Sequence, residues 1–102
     1  METHISEQDG RTLVAVTGRL DSTTGDSLLS SLEPVFLQKG VNLALDLGKL
    51  DYVSSWGLRT IQAILVRVNS VGGTMEITAL SPSVRDVFEM TGFSRIFHIG
   101  EK

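Results

Sequence analysis

The chain has 102 residues, a net charge of −3, 41% hydrophobic and 21% charged residues, which is the make-up of one folded domain over residues 1–102. Its nine basic residues are scattered and never adjacent, which argues against nucleic-acid or anionic-membrane binding. Cysteine is absent, so disulfides, thiol nucleophiles and cysteine–zinc sites are excluded, and His4 and His98 are too far apart in sequence to give a metal-ligand pattern.

The N-terminal segment has no basic stretch followed by an apolar one, so it does not read as a signal peptide. No apolar run reaches the roughly 20 residues of a membrane span. The expected location is the cytoplasm.

In chain order, residues 2–7 predict a short edge strand. Asp9-Gly10 is a favoured hairpin pair, and 11–17 alternates as a second strand ended by Gly18. Ser22, Thr23 and Thr24 offer helix-capping hydroxyls. Leu28, Leu29, Leu32, Val35 and Phe36 then recur at helical spacing. Pro34 should kink or split that helix, and Gly40 should close it. Residues 41–47 are nearly all apolar and predict a central strand buried on both sides. A loop is expected over 48–54, then a helix over 55–69 with Leu58, Ile61, Leu65 and Val68 facing the core.

Gly72-Gly73 breaks the chain. It is no phosphate loop, since no Lys-Ser/Thr follows. Residues 74–79 predict a strand with Met75, Ile77 and Ala79 on one face. Ser81-Pro82 starts another helix, packed inward through Val84, Val87, Phe88 and Met90 and ended by Gly92. Ile96-Phe97-His98-Ile99 reads as a last short strand. The order is β-β-α-β-α-β-α-β, which implies a mixed sheet with parallel pairs and helices mainly on one side.

The densest chemical signal is Asp51-Tyr-Val-Ser-Ser-Trp-Gly-Leu-Arg59. Two serines sit where a strand hands over to a helix. The first turn of a helix has unpaired N–H groups and favours negative charge. A serine there can cap the helix, or carry a phosphate that the same donors stabilise. Trp56 either packs on its own domain or stands out as a partner anchor. Trp56, Arg59, Ala63 and Val66 form a stripe off the core face, which is either a docking surface or, at Arg59 and Arg67, a solvated one. Asp46 and Asp51 read as loop carboxylates, and His98 as structural.

Several stretches resemble the STAS domain, and more narrowly the anti-sigma factor antagonists. They are Leu43-Ala-Leu-Asp-Leu47, Tyr52-Val-Ser-Ser-Trp-Gly-Leu-Arg59, Gly72-Gly-Thr-Met-Glu-Ile77 and Leu80-Ser-Pro-Ser-Val-Arg-Asp-Val-Phe-Glu-Met-Thr-Gly-Phe93. Gly18-Arg-Leu-Asp21 resembles the family's stretch before its first helix. The resemblance covers nearly the whole chain and implies a four- or five-stranded mixed sheet backed by helices. It also implies partner switching: the unphosphorylated protein binds an anti-sigma factor that is also a serine kinase. Phosphorylation releases that partner, and a metal-dependent serine phosphatase restores binding.

By position the resemblance makes Ser55 the phosphoacceptor, with Ser54 as second choice. The family's common aspartate before the acceptor is Ser54 here, and its small residue after the acceptor is Trp56. Asp21, Ser54, Ser55, Trp56, Gly57, Arg59 and Ala63 are the implied partner-binding residues, with no cofactor or metal and a monomer when free. The family's last helix is short or absent before Lys102. STAS-like domains also serve as subunits of signalling scaffolds or lipid-transport complexes, without phosphorylation switching; that is the alternative. An enzyme is not expected. Val53-Ser-Ser-Trp-Gly57 is superficially a nucleophile elbow, but Val53 stands where that motif needs glycine, and a triad would need His4 or His98 from the chain ends.

Overall fold

The structure, a computed structural model, describes residues 1–97 and residue 99. Asp9 and Gly10 both take positive φ, 54° and 82°, as a two-residue hairpin turn requires. They join β1 (Glu2–Gln8) to β2 (Arg11–Leu20) in antiparallel register. The chain continues through α1 (Gly25–Ser31), α2 (Glu33–Phe36), β3 (Asn42–Val53), α3 (Ser55–Ser70), β4 (Thr74–Leu80) and α4 (Pro82–Thr91). The sheet order is β1-β2-β3-β4, with β2, β3 and β4 parallel. This is the mixed α/β sheet that the sequence order implies, with four strands.

The helices share one core with one face of the sheet. Val14 and Val16 of β2, Leu43, Leu45 and Leu47 of β3, and Ile77 of β4 are fully buried with Leu28, Leu32, Ile61, Ile64 and Phe88. Burying each such side chain is worth roughly 1.5–3 kcal/mol. The opposite face is a shallow depression lined by strand residues, among them His4, Leu13, Ala15, Asp46 and Thr78. β3 is therefore central but not buried on both sides: Asn42 and Asp46 are exposed, and only the small Ala44 is covered on that face.

Pro34 splits the predicted helix. α1 stops at Ser31 and α2 restarts at Glu33 with Pro34 in its first turn, where the missing N–H costs nothing. Gly40 is not the helix cap, because α2 has already ended at Phe36. It takes φ 70° and donates its N–H to Val71 O at 2.7 Å, which ties the entry of β3 to the end of α3. Thr24 holds the N-cap position of α1, but its hydroxyl makes no capping bond.

Two strands run further than predicted. Gly18 does not end β2; its φ of 94° sits beside an irregularity in register, and pairing resumes at Arg19↔Tyr52 and Leu20↔Val53. The expected loop over 48–54 is mostly strand, because Leu50 and Val53 still reach the core.

Within α4, Val84 and Phe88 are buried and Val87 is half-buried, but Met90 is 83% exposed. Two positions past Phe88 is the far side of a helix, so Met90 does not pack inward. The predicted strand at 96–99 is reduced to one parallel bridge of Ile99 to Ile77. A 3₁₀ turn at Phe93–Arg95 instead brings Phe97 to Phe88 and Phe93, with ring centroids 5.9 Å from each. His98 and Lys102 lie outside the described residues.

Candidate functional site

The extended pairing of β2 with β3 delivers the serine segment. Leu20↔Val53 is the last register pair, so Asp21 and Ser54 leave the sheet side by side. Ser54 is extended, with φ −92° and ψ 176°. Its N–H donates to Leu20 O at 3.0 Å, and its Oγ accepts from the Gly57 N–H at 3.1 Å. Ser54 is thus the N-cap of α3, half-buried and engaged. Ser55 is the first helical residue and is exposed. The two serines, of which the resemblance put Ser55 first and Ser54 second as phosphoacceptor, have different environments.

Gly57 lies beneath this surface rather than on it. It is buried, and a β-carbon there would fall 2.5 Å from Leu20 O and 2.7 Å from Val53 Cγ2. Only a glycine lets the first turn of α3 press so closely on the ends of β2 and β3.

Asp21 organises the turn into α1. Its Oδ1 accepts from the Thr23 Oγ1 hydroxyl at 2.7 Å and from the Thr23 N–H at 2.9 Å. Thr24 Oγ1 accepts from the Asp21 N–H and donates to Arg19 O, at 3.0 and 2.9 Å. The Thr23 hydroxyl, then the Thr23 N–H, hold the Asp21 carboxyl below its ordinary range, because both bonds favour the charged form. Asp21 is an ionised group at the same end of the sheet as Ser55.

Trp56 divides between the two readings of the sequence. It is 48% exposed, while its Cδ1 lies 3.5 Å from where a β-carbon on Gly25 would stand, so its inner edge packs on the start of α1. The Arg59 guanidinium sits 5.7 Å from the indole centre. Arg59 and Val66 are exposed and Ala63 is half-buried. With Leu29 and Gln62 they line a shallow, mainly apolar groove between α1 and α3. Arg67 closes one end of it and is not simply solvated. Its guanidinium pairs with both Glu33 oxygens, at 2.9 and 3.4 Å, and lies 4.4 Å from the centre of the Phe36 ring.

The sequence did not single out Arg19 and Tyr52. They are paired in register one step before Leu20↔Val53, both are exposed, and the Arg19 guanidinium covers the Tyr52 ring at 4.2 Å. The only sequence signal was their place in the segments that resemble the family. Two arginine–aromatic pairs, Arg19–Tyr52 and Arg59–Trp56, therefore flank Ser54 and Ser55. Asp46 and Asp51 are exposed residues of β3 rather than loop carboxylates, because that strand runs on to Val53: Asp46 Oδ1 accepts from the Gly48 N–H at 2.8 Å, and the Asp51 backbone carbonyl accepts from Ser83 Oγ at 3.1 Å. His4 lies on the open sheet face. Among the described residues no three His, Cys, Asp or Glu side chains cluster to hold a metal, and no helix is long and apolar enough to cross a membrane.

The STAS domain model matches residues 2–102. The Bordetella bronchiseptica protein named anti-sigma factor antagonist BtrV is 32% identical over 97% of this chain and 85% of its own length. The crystal structure of an anti-sigma factor antagonist from Mycobacterium paratuberculosis superposes with a TM-score of 0.86 at 24% identity, covering 99% of this chain and 86% of that one. The Bacillus protein SpoIIAA is similar at 16% identity in both its states. Its unphosphorylated form gives a TM-score of 0.78 over 99% of this chain and 90% of its own, and its phosphorylated form gives 0.71 over 99% and 93%. The family model spans nearly the whole chain and the fold superposes on solved members, and the chain belongs to the STAS domain family.

Proposed function

We propose that this chain is an anti-sigma factor antagonist of the partner-switching kind. With Ser55 unmodified it holds an anti-sigma factor that is also a serine kinase. Phosphorylation of Ser55 releases that partner, and a metal-dependent serine phosphatase resets the switch.

The observation that carries the reading is the division of labour between the serines. Ser54 Oγ is committed to the Gly57 N–H, whereas Ser55 is exposed at the first position of α3. A kinase can reach Ser55 without dismantling the helix cap. The relative BtrV, whose name is that of an anti-sigma factor antagonist, and SpoIIAA, described with and without phosphate, support it.

The electrostatics are direct. Phosphate adds about −1.5 to −2 charges. The first turn of α3 contains no acidic side chain to oppose it, and a helix start favours negative charge, so the fold tolerates the modification. A partner seated over Ser55, Trp56, Arg59 and Ala63, next to the ionised Asp21, meets a new charge that it must desolvate. A loss of about 3–4 kcal/mol there weakens binding a few hundredfold.

The test uses Ser55→Ala and Ser55→Asp chains as paired baits in lysate of the native cell, with retained proteins identified by mass. A small ATPase-like kinase held by the Ala form and lost by the Asp form is the expected result. Retention of the same partner by both forms would reduce Ser55 to part of a constitutive interface and contradict the switch.

A further inference from the structure

Arg59 has a full charge and, among the described residues, no carboxylate partner. What holds it is the Trp56 indole, at 5.7 Å, close to the outer limit for such a contact. Arg59 follows Trp56 by three residues and Ser55 by four. Both spacings bring side chains together on a helix surface, with β-carbons roughly 5–6 Å apart. All three residues are exposed. The guanidinium therefore has one weak partner now, and a second position within reach where a strong one can be made.

We propose that Arg59 is the internal counter-cation of phosphorylated Ser55, and that the phosphate draws its guanidinium off the Trp56 ring. This rests on Ser55 being the phosphoacceptor. An exposed guanidinium over an indole is held loosely. A phosphate offers the same fork two parallel charge-assisted bonds. The first turn of α3 has no acidic residue to compete for it, and Arg67, the next arginine along the helix, is already paired with Glu33. Phosphorylation then changes the surface twice: it places a dianion at Ser55, and it strips the cation from the aromatic that stands beside it. A partner that needs Arg59 and Trp56 as they now stand loses both.

The experiment uses the full chain with phosphoserine installed at position 55 during translation, so that no kinase is involved, in the wild-type and Arg59→Gln backgrounds. The ³¹P signal is titrated through the second phosphate pKa, near about 6. The expected midpoint is lower in wild type by about half a unit, the size of an exposed ion pair. Asp21 opposes the charge equally in both chains, so the difference isolates Arg59. The chain has one tryptophan, and its emission should change with the same midpoint in wild type and stay flat in Arg59→Gln. Arg59→Lys should recover part of the midpoint shift. Equal midpoints in wild type and Arg59→Gln would overturn the proposal. Should the phosphoserine chain not fold, the carboxyl titration of Ser55→Glu, with and without Arg59→Gln, decides by the same comparison. No partner is present in these titrations, so their outcome is separate from that of the retention test for switching.

Discussion

At the scale of single residues, the site is defined by what each serine is bonded to. Ser54 caps α3 through the Gly57 N–H, so Ser54→Ala should cost about 1 kcal/mol, read as a fall of about 4–8 °C in melting temperature. Ser55→Ala should stay within about 0.5 kcal/mol of wild type, as an exposed substitution does. The same pair of melting curves checks both; a larger loss at Ser55 would contradict the assignment of the cap. Asp21 supplies a pH signature. Its carboxyl is held below the ordinary 3.8, first by the Thr23 hydroxyl. A depressed carboxyl contributes stability that is present above the ordinary value and lost as pH falls through the folded one. Carboxyl NMR should find the Asp21 midpoint below 3.8, and Thr23→Val should move it upward by removing the leading bond. That Ser54 and Ser55 matter was legible in the sequence. Which of them caps was not, because it depends on the angle at which Val53 leaves the sheet.

At the scale of elements, the α1–α2 break was legible because proline cannot be housed in a helix interior. The tie that holds α2 to α3 was not: Glu33 and Arg67 are 34 residues apart, and nothing local pairs them. This pair is exposed, and its worth is about 0.2–1 kcal/mol. Arg67→Ala should lose that amount together with the stacking on Phe36, in urea unfolding at low salt. Part of the loss should disappear at 1 M salt, where screening shortens to about 3 Å; no salt dependence would show that stacking alone acts. The strand ends were misjudged for a related reason. Gly18 and Gly48 resemble stops in sequence, but pairing resumes beyond both, since Leu20, Leu50 and Val53 still gain burial. That extension also hid Arg19 and Tyr52, which a loop over 48–54 would not have placed opposite one another. Met90 shows the converse: its apolar character suggested the core, while its angle on α4 decided otherwise.

At the scale of the whole molecule, alternating strands and helices were enough to give the mixed sheet; its one-sided cover was legible in the short, polar first strand, while the apolar run over 41–47 pointed the other way. The register along β2 and β3 positions the candidate site. Both strands end together, at Leu20 and Val53, and α3 starts immediately beyond, so the turn at Asp21 and the exposed Ser55 lie at one end of the sheet, at the carboxyl ends of parallel strands, where open α/β sheets commonly bind; the groove of α1 and α3 runs from there along α3 to Arg67. The core lies behind this surface, so on the proposed function a charge added at Ser55 would change what the surface binds and leave the packing intact. The most direct measurement of that claim is the affinity, by titration calorimetry, of the purified chain for the partner that its Ser55→Ala form retains, with and without phosphate on Ser55. The account predicts a loss of a few hundredfold on phosphorylation with an unchanged far-ultraviolet circular dichroism spectrum. Equal affinity for the two forms, or a loss explained by unfolding, would contradict it.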